Sequence, residues 1–274
     1  MPPIPSRKIA QFRRKILYFY KKDKRDLPWR KTADPYAILL SEIMLQQTQV
    51  NRGIAYFEKW LKRWPTVQDL AKADRSDVLR EWMGLGYNNR ARHIHESAKM
   101  ICGRFKGDVL LAMEQYKELP GIGPYTAAAV RIFSNNEDIT AVDTNIRRIL
   151  IHEFKLDEKI KDKELWALAK MCLPKGKSRE WHNALMDYGA THLTSRKTGI
   201  RPKGRQSKFE GSDRQVRAAV LRFILSHSQA SFAQLKKHTG CEKERLRAIL
   251  DKMQKDNILI SGKGMYGLSP SDPY

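Results

Sequence analysis

Residues 119–147, LPGIGPYTAAAVRIFSNNEDITAVDTNIR, constrain the fold more than any other stretch. Leu119-Pro120-Gly121-Ile122-Gly123 is a two-glycine turn between a helix-like run, Val109 to Glu118, and an alanine-rich one, Tyr125 to Phe133. Glycines at alternate positions admit backbone conformations that a Cβ would block. They also leave amide N–H groups free at the start of the next helix, where the dipole favours an anion. The pattern is a hairpin between two helices, able to grip a phosphate. Further on, Val142-Asp143-Thr144-Asn145 opens an amphipathic run ending at His152. Asp143 reads either as a helix N-cap or as a carboxylate aimed into a cleft beside the grip. The stretch alone leaves both readings open.

Lys and Arg number 52 against 30 Asp and Glu, giving a net charge of +22 over 274 residues. Such an excess on an ordinary globular apolar content points to a polyanion partner. No apolar run approaches the length of a membrane-spanning helix, and the N-terminus has no secretory pattern. The three cysteines, Cys102, Cys172 and Cys241, lie far apart. They fit free thiols in a reducing compartment, and no pair has metal-ligand spacing, so no metal site is expected.

Taken in order, residues 7–22 form a basic amphipathic helix with Ile9, Phe12, Ile16, Leu17 and Phe19 as its buried stripe. Leu27-Pro-Trp-Arg30 breaks it and leaves Trp29 and Arg30 on a loop, where they either plug the core or meet a stacked base. Asp34-Pro35 starts a helix that is apolar nearly all round. Glu42 sits in its middle, and burial would raise its pKa to where a general acid works at neutral pH. The other reading is a structural glutamate paired with an arginine. Gln46-Gln47-Thr48-Gln49 has more amides than a capping turn needs, which suggests a wedge or base-edge contacts. Thr66 to Asp69 resembles a capping box. Gly84-Leu85-Gly86-Tyr87 is a second glycine turn with a surface-type tyrosine, and Arg90 and Arg92 follow at the start of a helix running to Phe105.

Residues 194–213 are basic, with Gly and Pro, and read as a linker between a first domain over 1–193 and a second over 214–274. The second begins with Val216, Val220, Leu221, Ile224 and Leu225 on one helical stripe. A helix capped by Ser231 follows, then one from Glu242 to Gln254, then a hairpin through Ile258–Ser261 and Met265–Leu268. Three helices and a β-hairpin make a winged-helix pattern. Its third helix would bring Lys243, Arg245 and Arg247 to DNA, or the module would dock a protein.

These motifs together resemble the helix-hairpin-helix DNA glycosylase superfamily, and within it the MutY-type adenine glycosylases. The resemblance covers roughly residues 25–192. Leu27-Pro-Trp-Arg30, Ser41 to Val50, Gly84 to Tyr87, Leu119 to Thr126, Val142 to Asn145 and Asn183 to Ala190 stand in family order. It implies an all-α, two-lobed fold, here with the small winged-helix domain appended, and a cleft that receives a nucleotide flipped out of the duplex. It implies that Glu42 protonates the base and later handles the water, and that Asp143 stabilises the sugar cation. Asn145 and Tyr125 would orient that aspartate and its surroundings. Gln47 and Tyr87 would fill or wedge the stack, Gly121 and Gly123 would grip phosphate, and Arg90, Lys243 and Arg245 would add DNA contacts. Trp29, Arg30 and Asn183 would line the base pocket.

Breaking a purine N-glycosidic bond needs a proton on the leaving base and negative charge near the developing oxocarbenium ion. Tyr125 stands where strand-cutting relatives carry a lysine, so base removal without lyase chemistry is expected. The expected substrate is double-stranded DNA with adenine opposite 8-oxoguanine or guanine. A thymine or uracil glycosylase acting opposite guanine, or a non-catalytic DNA binder, are the alternatives. A monomer is expected, in the cytoplasm with the nucleoid of a prokaryote or in the nucleus of a eukaryote. The chain departs from the family in three places. It lacks the four cysteines that hold a [4Fe–4S] cluster, so no cofactor is expected. A winged-helix pattern replaces the Nudix-like domain that inspects 8-oxoguanine. Asn183 replaces a longer Gln or Glu.

Overall fold

The structure, a computed structural model, describes residues 4–201, 204 and 208–270. The helices run α1 (Ser6–Asp23), α2 (Pro35–Leu45), α3 (Val50–Arg63), α4 (Val67–Lys72) and α5 (Arg75–Trp82). They continue as α6 (Asn89–Phe105), α7 (Val109–Glu114), α8 (Pro124–Asn135), α9 (Thr144–Phe154), α10 (Asp162–Cys172) and α11 (Ser178–Thr191). The last are α12 (Ser195–Thr198), α13 (Asp213–His227), α14 (Phe232–Thr239) and α15 (Lys243–Lys255), with strands β1 (Gln229–Ser231), β2 (Leu259–Gly262) and β3 (Met265–Leu268). The fold is all-α apart from this small sheet. It divides into two compact units. One holds residues 1–42, 110–117 and 122–205, and the other 43–109, 118–121 and 206–274.

The first unit is built on α1. Ile9, Phe12, Ile16 and Phe19 recur at helical spacing and are buried together with residues of α9, α10 and α11. Leu17 only flanks that core. Phe12 meets Phe154 and Trp181 edge-on, with ring centroids 5.2 and 5.5 Å apart. The chain after α11 is held, not loose. His192 stacks on Tyr188, Thr194 caps α12, and Ile200 is buried in the same core. Part of the stretch expected as a linker is therefore folded onto the first unit. A four-residue helix and one buried isoleucine give too short a pattern to read from the sequence.

In the second unit, Trp60 meets Trp64 and Trp82 edge-on around the α3 and α5 core. Thr66 and Asp69 form the expected capping box at α4, and Ser231 with Gln234 forms another at α14. The C-terminal elements make three helices and a sheet of order β1–β3–β2, antiparallel throughout. The hairpin is as expected. Strand β1 is additional: its three residues show no periodicity and are recruited by β3, Gln229 opposite Gly267. Arg75 ties these elements into the unit. Its buried guanidinium pairs with Glu96 at 2.8 Å and donates to the carbonyls of Asn257, Ser269 and Pro270. Arg80 donates to the Leu225 carbonyl at 3.1 Å. Residues 43–109 and the C-terminal elements thus share one compact body.

Candidate active site

The first unit collects Glu42, Tyr125, Asp143 and Asn145. All four are partly accessible, while Ser41, Thr126 and Ile146 beside them are buried. Dense surroundings with residual access describe a recess. Asp34 starts α2 by accepting from the Tyr36 and Ala37 N–H groups, and the helix carries Glu42 at its inner end. Gly123 and Pro124 start α8, which presents Tyr125 in its first turn.

The Tyr125 hydroxyl donates a hydrogen bond to the Glu42 carboxyl, and both groups feel the charge of Asp143. Burial, helped by Asp143, pushes the Glu42 carboxyl up to about 7, against the Tyr125 hydrogen bond and the more distant Arg30. Burial and the two acids push the Tyr125 phenol well above its usual value, so it stays a neutral donor.

Asp143 is the helix cap that its sequence context offered, and its second oxygen is held as well. One oxygen, Oδ1, accepts from the Ile146 N–H at 2.7 Å and so caps α9. The other, Oδ2, accepts from Asn145 Nδ2 at 2.8 Å. Burial raises its pKa, while the Ile146 and Asn145 donors and the Arg148 charge oppose that rise. An acid whose two oxygens only accept is set up as a carboxylate. Asn145 is fixed in turn, since its Oδ1 accepts from Arg148 Nη2 at 2.7 Å. Arg148 also donates to the Gly189 and Leu193 carbonyls at 2.9 and 2.6 Å.

Sequence reasoning missed the groups behind this chain of bonds. A Cβ on Gly189 would stand 2.9 Å from the Asn145 Cβ, so α11 approaches α9 only because that position is glycine. His182 receives the Ala141 N–H on Nε2 at 3.1 Å and bonds the Ser178 carbonyl through Nδ1, steadying the irregular segment that leads into Asp143. Burial lowers its pKa to about 4, so the ring is neutral. The signal for Gly189 was in the Asp187-Tyr-Gly-Ala190 motif, but its reason lies in helix packing.

The base-pocket residues fall differently. Arg30 is not free to meet a base: its guanidinium holds Asp187 with two bonds of 2.7 Å, and Asp187 also binds Arg25 at 2.5 Å. Asp187 is fully buried, so these two arginines balance a charge that could not stand alone. Trp29 and Asn183 are buried, Trp29 in the turn beside Arg30 and Asn183 on α11.

With that geometry in place, the chain can be set against known proteins. Residues 40–175 match the HhH-GPD superfamily of base excision DNA repair proteins. An adenine DNA glycosylase of Mycolicibacterium smegmatis is 35% identical over 227 residues, covering 75% of this chain and 78% of that protein. The chain belongs to the HhH-GPD superfamily. The rat adenine DNA glycosylase is 36% identical over 199 residues, 68% of this chain but 39% of its own length. This HhH-GPD chain thus matches about two fifths of that relative. The structure of a thermostable thymine-DNA glycosylase superposes with a TM-score of 0.65 at 31% identity, covering 70% of this chain and 90% of that one.

The residues of this HhH-GPD chain do not fit a four-thiolate iron–sulfur cluster. Cys172 belongs to the first unit's core, while Cys102 and Cys241 belong to the second unit. After Gly189 the chain is braced by Arg148, Tyr188 and His192.

The expected DNA-contact residues lie in the second unit, Gly123 apart. Gln47 is exposed and Tyr87 half-buried, both with left-handed backbone (φ 58° and 51°), a conformation uncommon for residues with side chains. Gly121 needs its positive φ of 73° and its missing Cβ, since His93 would stand within 2.6 Å. Gly123 needs neither: its φ is −99° and nothing lies near its absent Cβ, which leaves open space at the α8 N-terminus.

Arg90 corrects the sequence reading. It is buried and cannot reach DNA; it donates to the carbonyls of Ile43, Met44, Gln46, Leu85 and Gly86 and to the Thr48 hydroxyl. Burial lowers its pKa to about 10, and the carbonyl cage suits a cation at the end of α2. It locks the Gln46–Gln49 and Gly84–Tyr87 loops together. Lys243 is exposed at the start of α15, while Arg245 is exposed but paired with Asp213 at 2.7 Å and bonded to the Gly211 carbonyl.

Proposed function

We propose that this chain is a monofunctional DNA glycosylase of base excision repair that removes adenine mispaired with 8-oxoguanine or guanine. The observation that carries the reading is the pair of acids: Glu42, raised to about 7 beside the neutral Tyr125 hydroxyl, and Asp143, fixed at both oxygens. Two carboxylates in different environments divide acid and electrostatic work between them. The protonated Glu42 gives its proton to a ring nitrogen of the flipped adenine. The C1′–N9 electrons leave with the base, and the positive charge left on the sugar faces the Asp143 carboxylate. Water adds to C1′, and its proton returns to Glu42. Tyr125 stands where an amine would be needed for a Schiff base, so the product is an intact abasic strand.

Adenine as the target is supported by the relatives' names, and duplex DNA as the partner by the +22 charge. The structural likeness to a thymine-DNA glycosylase favours a second reading, excision of thymine or uracil opposite guanine. Duplexes carrying A:8-oxoG, A:G, T:G and U:G, treated with enzyme and then alkali, separate the two. Cutting of the adenine strand is expected, and cutting confined to T:G or U:G overturns the assignment. The same reading makes the enzyme a monomer that works without an iron–sulfur cluster, wherever the cell keeps its DNA. Iron and sulfide analysis of the purified protein tests the cluster, and sedimentation tests the monomer. Among the described residues no helix is long and apolar enough to cross a membrane.

A further inference from the structure

A second recess, of about 600 Å³, lies wholly within the second unit. That volume falls in the range of small-molecule sites, roughly 300–1,000 Å³. One wall carries Gln46 together with Gln47, Tyr87 and Gly121, the last three being residues that the family resemblance assigns to the stack and the phosphate grip. The other wall is C-terminal. From α15 it takes Arg245, Ala248, Ile249 and Lys252, which share one helix face by their spacing, with Asp256 just beyond. From α13 it takes Asp213, Arg214 and Arg217.

The chemistry of that second wall is specific. Arg217 pairs with Asp256 and Arg245 with Asp213, each at 2.7 Å, so donors and acceptors sit side by side. Arg214 donates to the Tyr87 hydroxyl at 2.9 Å with its guanidinium 5.0 Å from the ring centre, joining the two walls. A site for phosphate alone would carry cations without carboxylates. Adjacent donors and acceptors over the apolar Ala248 and Ile249 suit the edge of a nucleobase. A purine with an N–H beside a carbonyl oxygen, as on the N7 and C8 side of 8-oxoguanine, meets both halves of a guanidinium–carboxylate pair, because a paired carboxylate keeps lone pairs free.

We propose that this recess receives the purine nucleotide opposite the excised base, and that α13 and α15 read it through the Arg217–Asp256 and Arg245–Asp213 pairs and Lys252. The proposal rests on the glycosylase reading above, since it supplies the opposite-strand inspection for that reaction.

The test uses the full chain and duplexes holding a tetrahydrofuran abasic analogue opposite 8-oxoguanine, guanine, cytosine or thymine. No base is left to excise, so the result does not depend on which base the enzyme removes. Binding should favour the 8-oxoguanine duplex over the cytosine duplex by about tenfold or more, as one good base contact allows. Asp256→Asn should cut that ratio at least threefold. Lys252→Met, at an exposed position outside every ion pair described above, does the same without touching the fold. If wild type binds all four duplexes alike, or if both variants weaken all four by one factor, the recess does not read the opposite base and the proposal falls. If the ratio behaves as expected while adenine is not excised in the mismatch panel, only the adenine assignment fails.

Discussion

The two recesses handle charge in opposite ways. In the first unit, no cation is paired with Glu42 among the described residues. Its direct partner is the neutral Tyr125, and Arg30 is spent on Asp187. Burial therefore appears as a raised pKa, and the group keeps a proton near neutral pH. In the second unit each carboxylate of the recess has a guanidinium and Arg90 has a cage of carbonyls, so the charges persist and fix shape. On the proposed reading the first site moves a proton, while the second holds a surface steady. Substitutions should separate these roles cleanly.

The largest effect is expected at Asp143. Asparagine keeps the cap to Ile146, since it is as good an N-cap as aspartate, but removes the charge facing the sugar cation. Single-turnover excision should fall by roughly three orders of magnitude, with DNA affinity retained. A variant near the wild-type rate would break the contrast between an electrostatic and a structural acid. Glu42→Gln should cost roughly 10²–10⁴-fold. Because the proposed mechanism needs Glu42 protonated, the wild-type rate should decline as pH rises through about 7. The stability linkage has the matching sign: the folded pKa lies above the usual value of 4.5, so stability falls as pH rises from about 4.5 to 7. Glu42→Gln should remove that decline, as thermal melts across pH would reveal.

Next comes Arg90→Gln, in the second unit. It leaves several buried carbonyls without a donor and should cost about 3 kcal/mol in urea unfolding, lowering affinity for every duplex alike and leaving the pH profile of excision unchanged. A change in that profile would tie the two recesses together.

These expectations also mark what could be read in the chain. That Glu42, Tyr125 and Asp143 come together could be read ahead because each sits in a short, motif-like context: Glu42 in an apolar helix, Tyr125 just past the hairpin turn, Asp143 at a helix start. Arg90 and Arg30 were misread as contacts because an arginine after a loop looks the same whether it turns outward or inward. What decides is the set of carbonyls or the buried Asp187 that only the folded chain supplies. The α-helices and the hairpin followed from periodicity and caps; β1 and the folding-back of Ile200 did not, being too short to carry a period. Gly189 was visible as a motif letter, and its reason was not. A Cβ there would press on Asn145 at 2.9 Å. Gly189→Ala should therefore slow excision about tenfold with Kd for DNA unchanged, a modest misplacement of Asp143 being enough for that loss. An equal loss in binding would mean the packing serves the unit as a whole.

The smallest effects are expected at Tyr87. Tyr87 meets Arg214 in two ways, through its hydroxyl at 2.9 Å and through the face of its ring at 5.0 Å. Tyr87→Phe removes the first and keeps the second. If the second recess holds shape through aromatic contact, excision and affinity should both change by less than about fivefold, since the cation–π contact remains and the guanidinium hydrogen bond that is lost, partly open to water, is worth about 1 kcal/mol. Tyr87→Leu, which removes both, should lower affinity about tenfold and leave the apparent pKa of excision where Glu42 sets it. Should Tyr87→Phe alone abolish excision, the hydroxyl would belong to the chemistry, and the division between a proton-moving site and a shape-holding one would fail at that residue.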